Sequence, residues 1–325
     1  MRALLIVNPN ATFITPAGRD LVAMALSSTL DITLAQTERR GHAGELAAKA
    51  RADGTDLVIV HGGDGTVNEV VNGILGDEGA PDGDPITAPE ELPAVAVIPG
   101  GSANVFARSL AVPRDPLQAT VHLTDLLSRS TFRTIGLGRA DARWFLFNAG
   151  MGVDAEVIEN MEALRDRGKP ATPNRYVRTS IRTFFAAARR EPTLTVTLPG
   201  GEPVDGVHFA FVSNASPWTF LGDRPVFTNP GTDYGSGLGI FAARSMRTVP
   251  NLRLVRQMLS RRPKGPSVGH LLRDDDLPEL RVTSSVPVAT QVDGDHIGAR
   301  DDVRFWYSPE RIRVVADLPP LPRVR

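Results

Sequence analysis

The chain has 325 residues, with 36 lysines and arginines against 37 aspartates and glutamates, a net charge of −1 and an apolar fraction of 42%. That length accommodates two domains with cores of their own, and the near-neutral balance provides no global field to draw the chain onto nucleic acid. The sequence contains no cysteine, which excludes disulfides and thiolate metal sites, and its six scattered histidines lack the spacing of a zinc site.

The N-terminal MRALLIVNPN holds a short apolar run that stops at Asn8-Pro9 without a small-residue cleavage site, and no segment approaches eighteen consecutive apolar residues. A cytoplasmic protein without a membrane span is the expectation. Over the first 130 residues, apolar runs at 3–7, 32–35, 57–60 and 94–98 alternate with helical patterns at 16–30, 43–52, 67–75 and 103–110. Strand followed by helix, repeated, predicts a Rossmann-like α/β domain with a mostly parallel sheet and helices on both faces. Leu4-Leu5-Ile6-Val7 and Leu57-Val58-Ile59-Val60 do not alternate with polar residues, as expected of central strands covered on both sides. Between them and the next strand, GDEGAPDGDPITAPEELP at 76–93 reads as a solvated, tolerant surface loop.

After about residue 132 the rhythm changes to short strands at 145–148, 193–198, 207–212, 239–242, 280–283 and 288–291, interrupted by helices near 154–166 and 176–190. This predicts a β-rich, sandwich-like second domain. The expected division is 1–132 and 133–308, with 309–325 either closing the second domain or returning to the first.

The stretch HGGDGTVNEVVNG, 61–73, sits where the third strand should end. Thr66 and Glu69 have capping-box spacing, and Val67, Val70, Val71, Ile74 and Leu75 recur at helical intervals, so a helix is predicted to start at Thr66. Gly62-Gly63-Asp64-Gly65 then turns from a strand into a helix whose first amides and positive dipole end suit a phosphate, and glycines let phosphate oxygens approach the backbone. The pattern is neither a Walker loop nor GxGxxG. Asp64 would repel a polyphosphate unless a cation intervened, so it either works through Mg²⁺, directly or through water, or serves as a local turn cap. A second glycine turn, PGGSANVFARSL, follows the strand at 94–98 and carries Ser102, Asn104 and Arg108.

GGDGTVNE at 62–69, PGGSANVFAR at 99–108 and QVDGD at 291–295 together resemble the diacylglycerol kinase catalytic family, which includes bacterial lipid kinases and sphingosine kinases. The resemblance implies an ATP site built from Asn8, Pro9, Asn10, Ala11 and Thr12, from Thr37, from Gly62, Gly63, Asp64, Gly65, Thr66, Asn68 and Glu69, and from Ser102, where the family more often has threonine. It also implies that Asp295, at the position of the acid closing the family's DGE motif, accepts the proton of a lipid hydroxyl. With Asp64, it completes the catalytic pair. A positioned base contributes about 10²–10⁴ in rate, while Mg²⁺ and backbone amides stabilise the transferred phosphoryl group. Val292-Asp293-Gly294-Asp295 equally has hairpin chemistry, with Asp295 projecting from an Asp-Gly turn. Similar kinases hold a structural Mg²⁺ through acids around D-x-G-L-D. Here Asp233, Ser236 and the Leu238 carbonyl keep the spacing, but Gly235 and Gly239 stand at acidic positions, so a tight metal is not expected.

The segment PWTFLG at 217–222 reads either as the mouth of an acyl-chain pocket or as ordinary core. NRYVRTSIRTFFAAARRE at 174–191 and the Arg261-Arg262-Pro263-Lys264 run are the candidate contacts with a membrane surface, although packing into the fold is the more common outcome for a helix like the former. The leading expectation is an ATP- and Mg²⁺-dependent lipid kinase, peripherally membrane-associated, converting diacylglycerol to phosphatidic acid in a cleft between the domains. A homodimer is compatible with the sequence. The alternatives are a soluble small-molecule kinase of the NAD-kinase type and a lipid or nucleotide sensor without catalysis.

Overall fold

The computed structural model describes residues 1–79, 85–152, 191–260 and 265–317. The helices expected near 154–166 and 176–190 and the Arg261-Arg262-Pro263-Lys264 run lie outside the described residues. The chain forms two compact units, Met1–Leu137 with Ala142–Trp144 and Ser308–Arg325, and Gly138–Asp141 with Phe145–Tyr307.

The first unit runs β1 (Arg2–Val7), α1 (Pro16–Ser27), β2 (Asp31–Gln36), α2 (His42–Ala52), β3 (Leu57–Gly62), α3 (Asp64–Leu75), β4 (Ala94–Pro99), α4 (Val105–Ser109) and α5 (Pro116–Ser128). Its strands lie in the order β4-β3-β1-β2, all parallel. Every residue of β3 and β4 is buried, as their unbroken apolar runs require. The chain moves outward from β1 to β2 and then crosses back to β3. Right-handed crossovers therefore put α1 on one face and α2 with α3 on the other. The packing agrees: α1 meets α5, and α2 meets α3. That reversal makes the gap between the C-terminal ends of β1 and β3 a topological switch point, where open α/β sheets bind ligands.

Helix starts follow the local chemistry. Thr15 accepts a hydrogen bond from Gly18 N at 3.1 Å ahead of Pro16, and Asp115 does the same for Gln118 N at 2.9 Å ahead of Pro116. α3 corrects the sequence reading. It begins at Asp64 with Gly63 as its N-cap, and Glu69 does not close a capping box because its carboxylate receives Gly41 N at 2.8 Å and Ala43 N at 3.3 Å, at the start of α2. The 76–93 loop is also not simply solvated. Glu78 within it is 1% exposed and pairs with Arg51 at 2.5 Å and Arg311 at 2.7 Å, because a buried guanidinium needs an anion beside it.

The remaining strands are β5 (Arg133–Ala140), β6 (Arg143–Phe145), β7 (Asn148–Gly152), β8 (Leu194–Thr197), β9 (Val204–Val207), β10 (Phe209–Ser213), β11 (Thr219–Leu221), β12 (Arg224–Val226), β13 (Leu238–Ala243), β14 (Leu271–Leu277), β15 (Glu279–Val292) and β16 (Asp295–Val314). One further described helix, α6 (Thr248–Met258), lies among them. In the second unit the order is β14-β13-β10-β7-β15-β16, antiparallel throughout, with β8 and β9 branching from β15. The short strands expected at 280–283 and 288–291 fuse into β15. The register shift between Thr283 and Val288 in the β15–β16 ladder absorbs the interruption that made them look separate. The end of β16 belongs to the first unit, where Val314 pairs with Val95 of β4. One face of the second unit's sheet packs Phe145, Met151, Val212, Ile240, Val282 and Phe305 into its main core.

Candidate active site

The segments expected to grip a nucleotide lie together in the first unit, at the switch point. Asn8 N donates to His61 O at 3.0 Å, Asn8 Nδ2 to Thr66 Oγ1 at 3.0 Å, and Phe13 N to Gly100 O at 2.9 Å. The Asn8 side chain also folds its own loop, since its Oδ1 accepts Asn10 N at 3.0 Å. Thr37 is buried after β2, with its amide on Val7 O at 2.9 Å. Thr12 and Ser102 are exposed.

The two glycine turns lie directly against one another. Gly100 N donates to Gly62 O at 2.8 Å. A Cβ on Gly101 would sit 2.7 Å from Gly63 Cα, and one on Gly62 would sit 2.9 Å from Thr66 Cβ. The glycines are therefore required by backbone-on-backbone packing as well as by any approach of phosphate.

Asp64 makes the junction rigid. Its two oxygens accept Val105 N and Phe106 N, each at 3.0 Å, so the acid of the first turn supplies the cap that the second turn's short helix lacks. Asn104 stands in the left-handed region at φ 47° and receives Gly101 N on its Oδ1 at 2.9 Å, closing that turn. Arg108 lies close enough to feel Asp64. Burial, and then Arg114, press its pKa below the usual arginine value, while Asp64 opposes them. Its cue in the sequence was its place four residues after Asn104, within the second motif.

Two residues assigned to the nucleotide do other work. Asn68 is fully buried, donating to Trp144 O at 2.9 Å and accepting Arg143 Nη2 at 2.7 Å, and Glu69 organises α2 as described above. Both side chains are thus engaged within the protein. What the turn retains for a ligand is main chain: α3 is twelve residues long, and its glycine N-cap brings no side chain to the first-turn amides. That arrangement fits an anion and so fits a nucleotide's phosphates. Among the described residues no group of three or more histidines or acids is placed to hold a metal. A Mg²⁺ there would be held mainly through phosphate oxygens, with a single carboxylate such as Asp64 assisting.

In the second unit, Asp293 at φ 49° and Gly294 at φ 83° form the tight turn joining β15 to β16, with Val292 paired to Asp295. The buried Asp293 carboxylate accepts Leu146 N at 2.7 Å, Phe147 N at 3.0 Å and Asn148 N at 3.1 Å. Gln291 bridges from Asn148 Oδ1 at 3.0 Å to Gly294 N at 2.9 Å, and Asn148 Nδ2 reaches Trp218 O at 3.0 Å. Asp295, half-buried, begins the outgoing strand from this clamped turn. Sequence reasoning missed Asp293 and Asn148 as the residues that fix its position. Trp218 stacks on Phe211 at 4.9 Å beside Phe209 and Phe241, so the PWTFLG segment lies against a layer of aromatic side chains.

The D-x-G-L-D position does not fit a structural cation. Asp233 Oδ1 accepts Gly235 N at 2.8 Å and Ser236 N at 3.0 Å, while Ser236 Oγ accepts Asp233 N at 2.9 Å. A Cβ on Gly239 would lie 2.4 Å from Thr232 Oγ1 and 2.7 Å from Asn229 Cγ, leaving no room for an acid. Asn229 Nδ2 instead donates toward Ile240 O at 3.1 Å, Asp274 O at 2.9 Å and Asp275 Oδ1 at 2.9 Å, so an amide satisfies oxygens gathered at this loop.

Comparison with known proteins agrees with this anatomy. The model of the diacylglycerol kinase catalytic domain matches residues 2–140. Over 159 residues the chain is 31% identical to a diacylglycerol kinase of Bacillus subtilis (strain 168), covering 46% of each protein. Over 111 residues it is 32% identical to a protein of Shigella flexneri named "Probable lipid kinase YegS", covering 34% of this chain and 33% of that one. The matched stretches thus span less than half the length of these curated relatives. A crystal structure of a diacylglycerol kinase from Bacillus anthracis str. Sterne shares the fold over 97% of both chains, with a TM-score of 0.69 at 18% identity. Residues 2–140, which hold both glycine turns at the switch point, are thus similar to the diacylglycerol kinase catalytic domain.

Proposed function

We propose that this chain is a lipid kinase that transfers the terminal phosphoryl group of ATP to the hydroxyl of a diacylglycerol-class lipid, giving phosphatidic acid. The observation carrying this reading is the uncapped start of α3 at the switch point, packed against a second glycine turn inside the matched domain. The amides of that helix start would bind the phosphates, and Thr12, Thr37 and Ser102 supply hydroxyls nearby in the same unit. Mg²⁺, assisted by Asp64, would neutralise charge on the transferred phosphoryl group when bound. Asp295 would take the proton of the lipid hydroxyl, held in place by the Asp293–Asn148–Gln291 network.

The loss of acids at Gly235 and Gly239 does not favour an inactive sensor, because the loop is closed by its own hydrogen bonds and has no need of a cation. The test is transfer of labelled phosphate from ATP to vesicles bearing diacylglycerol, ceramide, a sphingoid base or a polyprenol. Asp295→Asn is expected to retain ATP binding and lose about 10²–10⁴ in kcat on the preferred lipid. Equal labelling by both proteins would remove Asp295 from its role, and transfer only to water-soluble acceptors would replace the lipid reading with that of a small-molecule kinase.

A further inference from the structure

α6 has an unusual outer face. Asn251 and Leu254 are buried, and Leu254 and Met258 pack on the aromatic layer of Phe209, Phe211 and Phe241. On the other side, Val249, Leu252 and Val255 are 78%, 65% and 49% exposed. At 100° per residue these three span a stripe roughly 120° wide, and Arg256 falls between Val249 and Leu252 in angle, with Arg253 next to them. Both arginines are exposed and have no ion-pair partner among the described residues.

The charge around this helix is one-sided. From Arg244 to Ser260 the described stretch holds four arginines and no acid, in a chain whose net charge is −1. The hairpin β11–β12 is tied to the same end of α6: Arg224 Nε donates to Leu259 O at 2.9 Å and Phe227 N to Met258 O at 2.9 Å. Leu221 at the hairpin tip is 54% exposed, and Asp223 beside it is the one acid there.

We infer that the outer face of α6, with the β11–β12 tip, docks the protein on an anionic lipid bilayer. Aliphatic side chains interleaved with arginines match an interface where apolar atoms enter the acyl boundary while guanidinium groups remain among phosphates. A second copy of the chain is a poor occupant, because a two-fold contact would set arginines of one sign against each other. The inference gives the lipid-kinase reading its membrane surface and rests on that reading for its purpose, but the test does not depend on turnover.

Sedimentation with vesicles of phosphatidylcholine alone, or mixed with phosphatidylglycerol, is measured without ATP or acceptor lipid. The natural protein is expected to prefer the anionic vesicles, and added salt should weaken that preference. Arg253→Gln with Arg256→Gln should lower the partition about 30-fold, roughly fivefold for each arginine. Leu252→Gln with Val255→Gln should lower it at least about tenfold on the same vesicles. All variants should keep the melting temperature and the activity toward a detergent-dispersed short-chain acceptor. Equal binding to both vesicle types, unchanged partition of the variants, or a concentration-dependent dimer that the substitutions dissolve would overturn the inference. A protein that binds these vesicles but labels no lipid would instead refute the kinase reading and leave the docking surface standing.

Discussion

Gly101→Ala separates two explanations of the glycine turns. The added methyl would lie 2.7 Å from Gly63 Cα and 3.1 Å from Asn104 Oδ1, and the first contact is with backbone that no rotamer change can move aside. Relief requires the two turns to separate by about 0.7 Å, a strain in the range of other overpacked sites, about 1–3 kcal/mol. Gly101 is not in the left-handed region, so alanine meets no φ penalty there and would by itself stabilise by about 0.4–1 kcal/mol through the unfolded chain. The net expectation is a loss of about 1–2 kcal/mol in the nucleotide-free protein, seen as a lower guanidinium midpoint at unchanged slope. Gly63→Ala, whose methyl would stand 3.3 Å from Gly101 Cα, should cost less. If Gly101→Ala unfolds at the natural midpoint yet no longer binds ATP, the glycine serves only the ligand and the packing argument fails.

Two further outcomes concern charge in the first unit. Burial lowers the pKa of His61 to about 4 from its ordinary 6.5, so the unfolded chain takes up the proton first. The neutral ring's contribution is complete above pH 6.5 and is lost as the pH falls through the window down to 4, amounting to roughly 3 kcal/mol. Urea midpoints measured between about pH 7.5 and pH 5 should therefore fall more steeply for the natural chain than for His61→Gln. Equal slopes would mean that His61 is hydrated. Glu78→Gln removes the anion beside buried Arg311 and should destabilise by about 3–5 kcal/mol. Burial alone would raise the Glu78 pKa, but hydrogen bonds from Thr87 and the charge of Arg51 hold it below the ordinary carboxylate value. Its contribution is present above pH 4.5 and fades as the pH drops below that, so the acid limb of the stability curve should flatten in the variant. An unchanged thermal midpoint in Glu78→Gln would show that water, not Glu78, balances Arg311.

The parallel sheet was legible because β3 and β4 are apolar at nearly every position, a pattern that only burial on both faces produces. The Asp293-Gly294 turn was legible because that pair suits the left-handed φ of both central residues. What escaped was set by contacts distant in sequence. Thr66 and Glu69 have capping-box spacing, yet α2 offers unpaired amides that take Glu69, and nothing in the local sequence announces this. β15 looked like two strands because Ser284, Ser285 and Pro287 at the ladder's irregularity mimic a turn, and only pairing shows the ladder continuing. Glu78 sits in a run of Gly, Pro and acids, and its partner Arg311 comes 233 residues later.

The carboxylates of Asp64 and Asp293 are used alike, one in each unit. Each stands beside a glycine and accepts amides from a segment distant in sequence, two at 3.0 Å for Asp64 and three between 2.7 and 3.1 Å for Asp293. A charged acceptor serving several amides is a strong, directional clamp, and burial strengthens it further. The acids of the motifs thus hold loops whose neighbouring groups, the amides opening α3 and the Asp295 carboxylate, are the ones proposed above to meet phosphate and lipid. The departure from glutamate to the shorter Asp295 is easier to accommodate in such a frame. A carboxylate held by a tight turn and a buried polar network loses little orientation with one methylene removed, whereas on a mobile loop the lost reach would have no fixed point to be measured from.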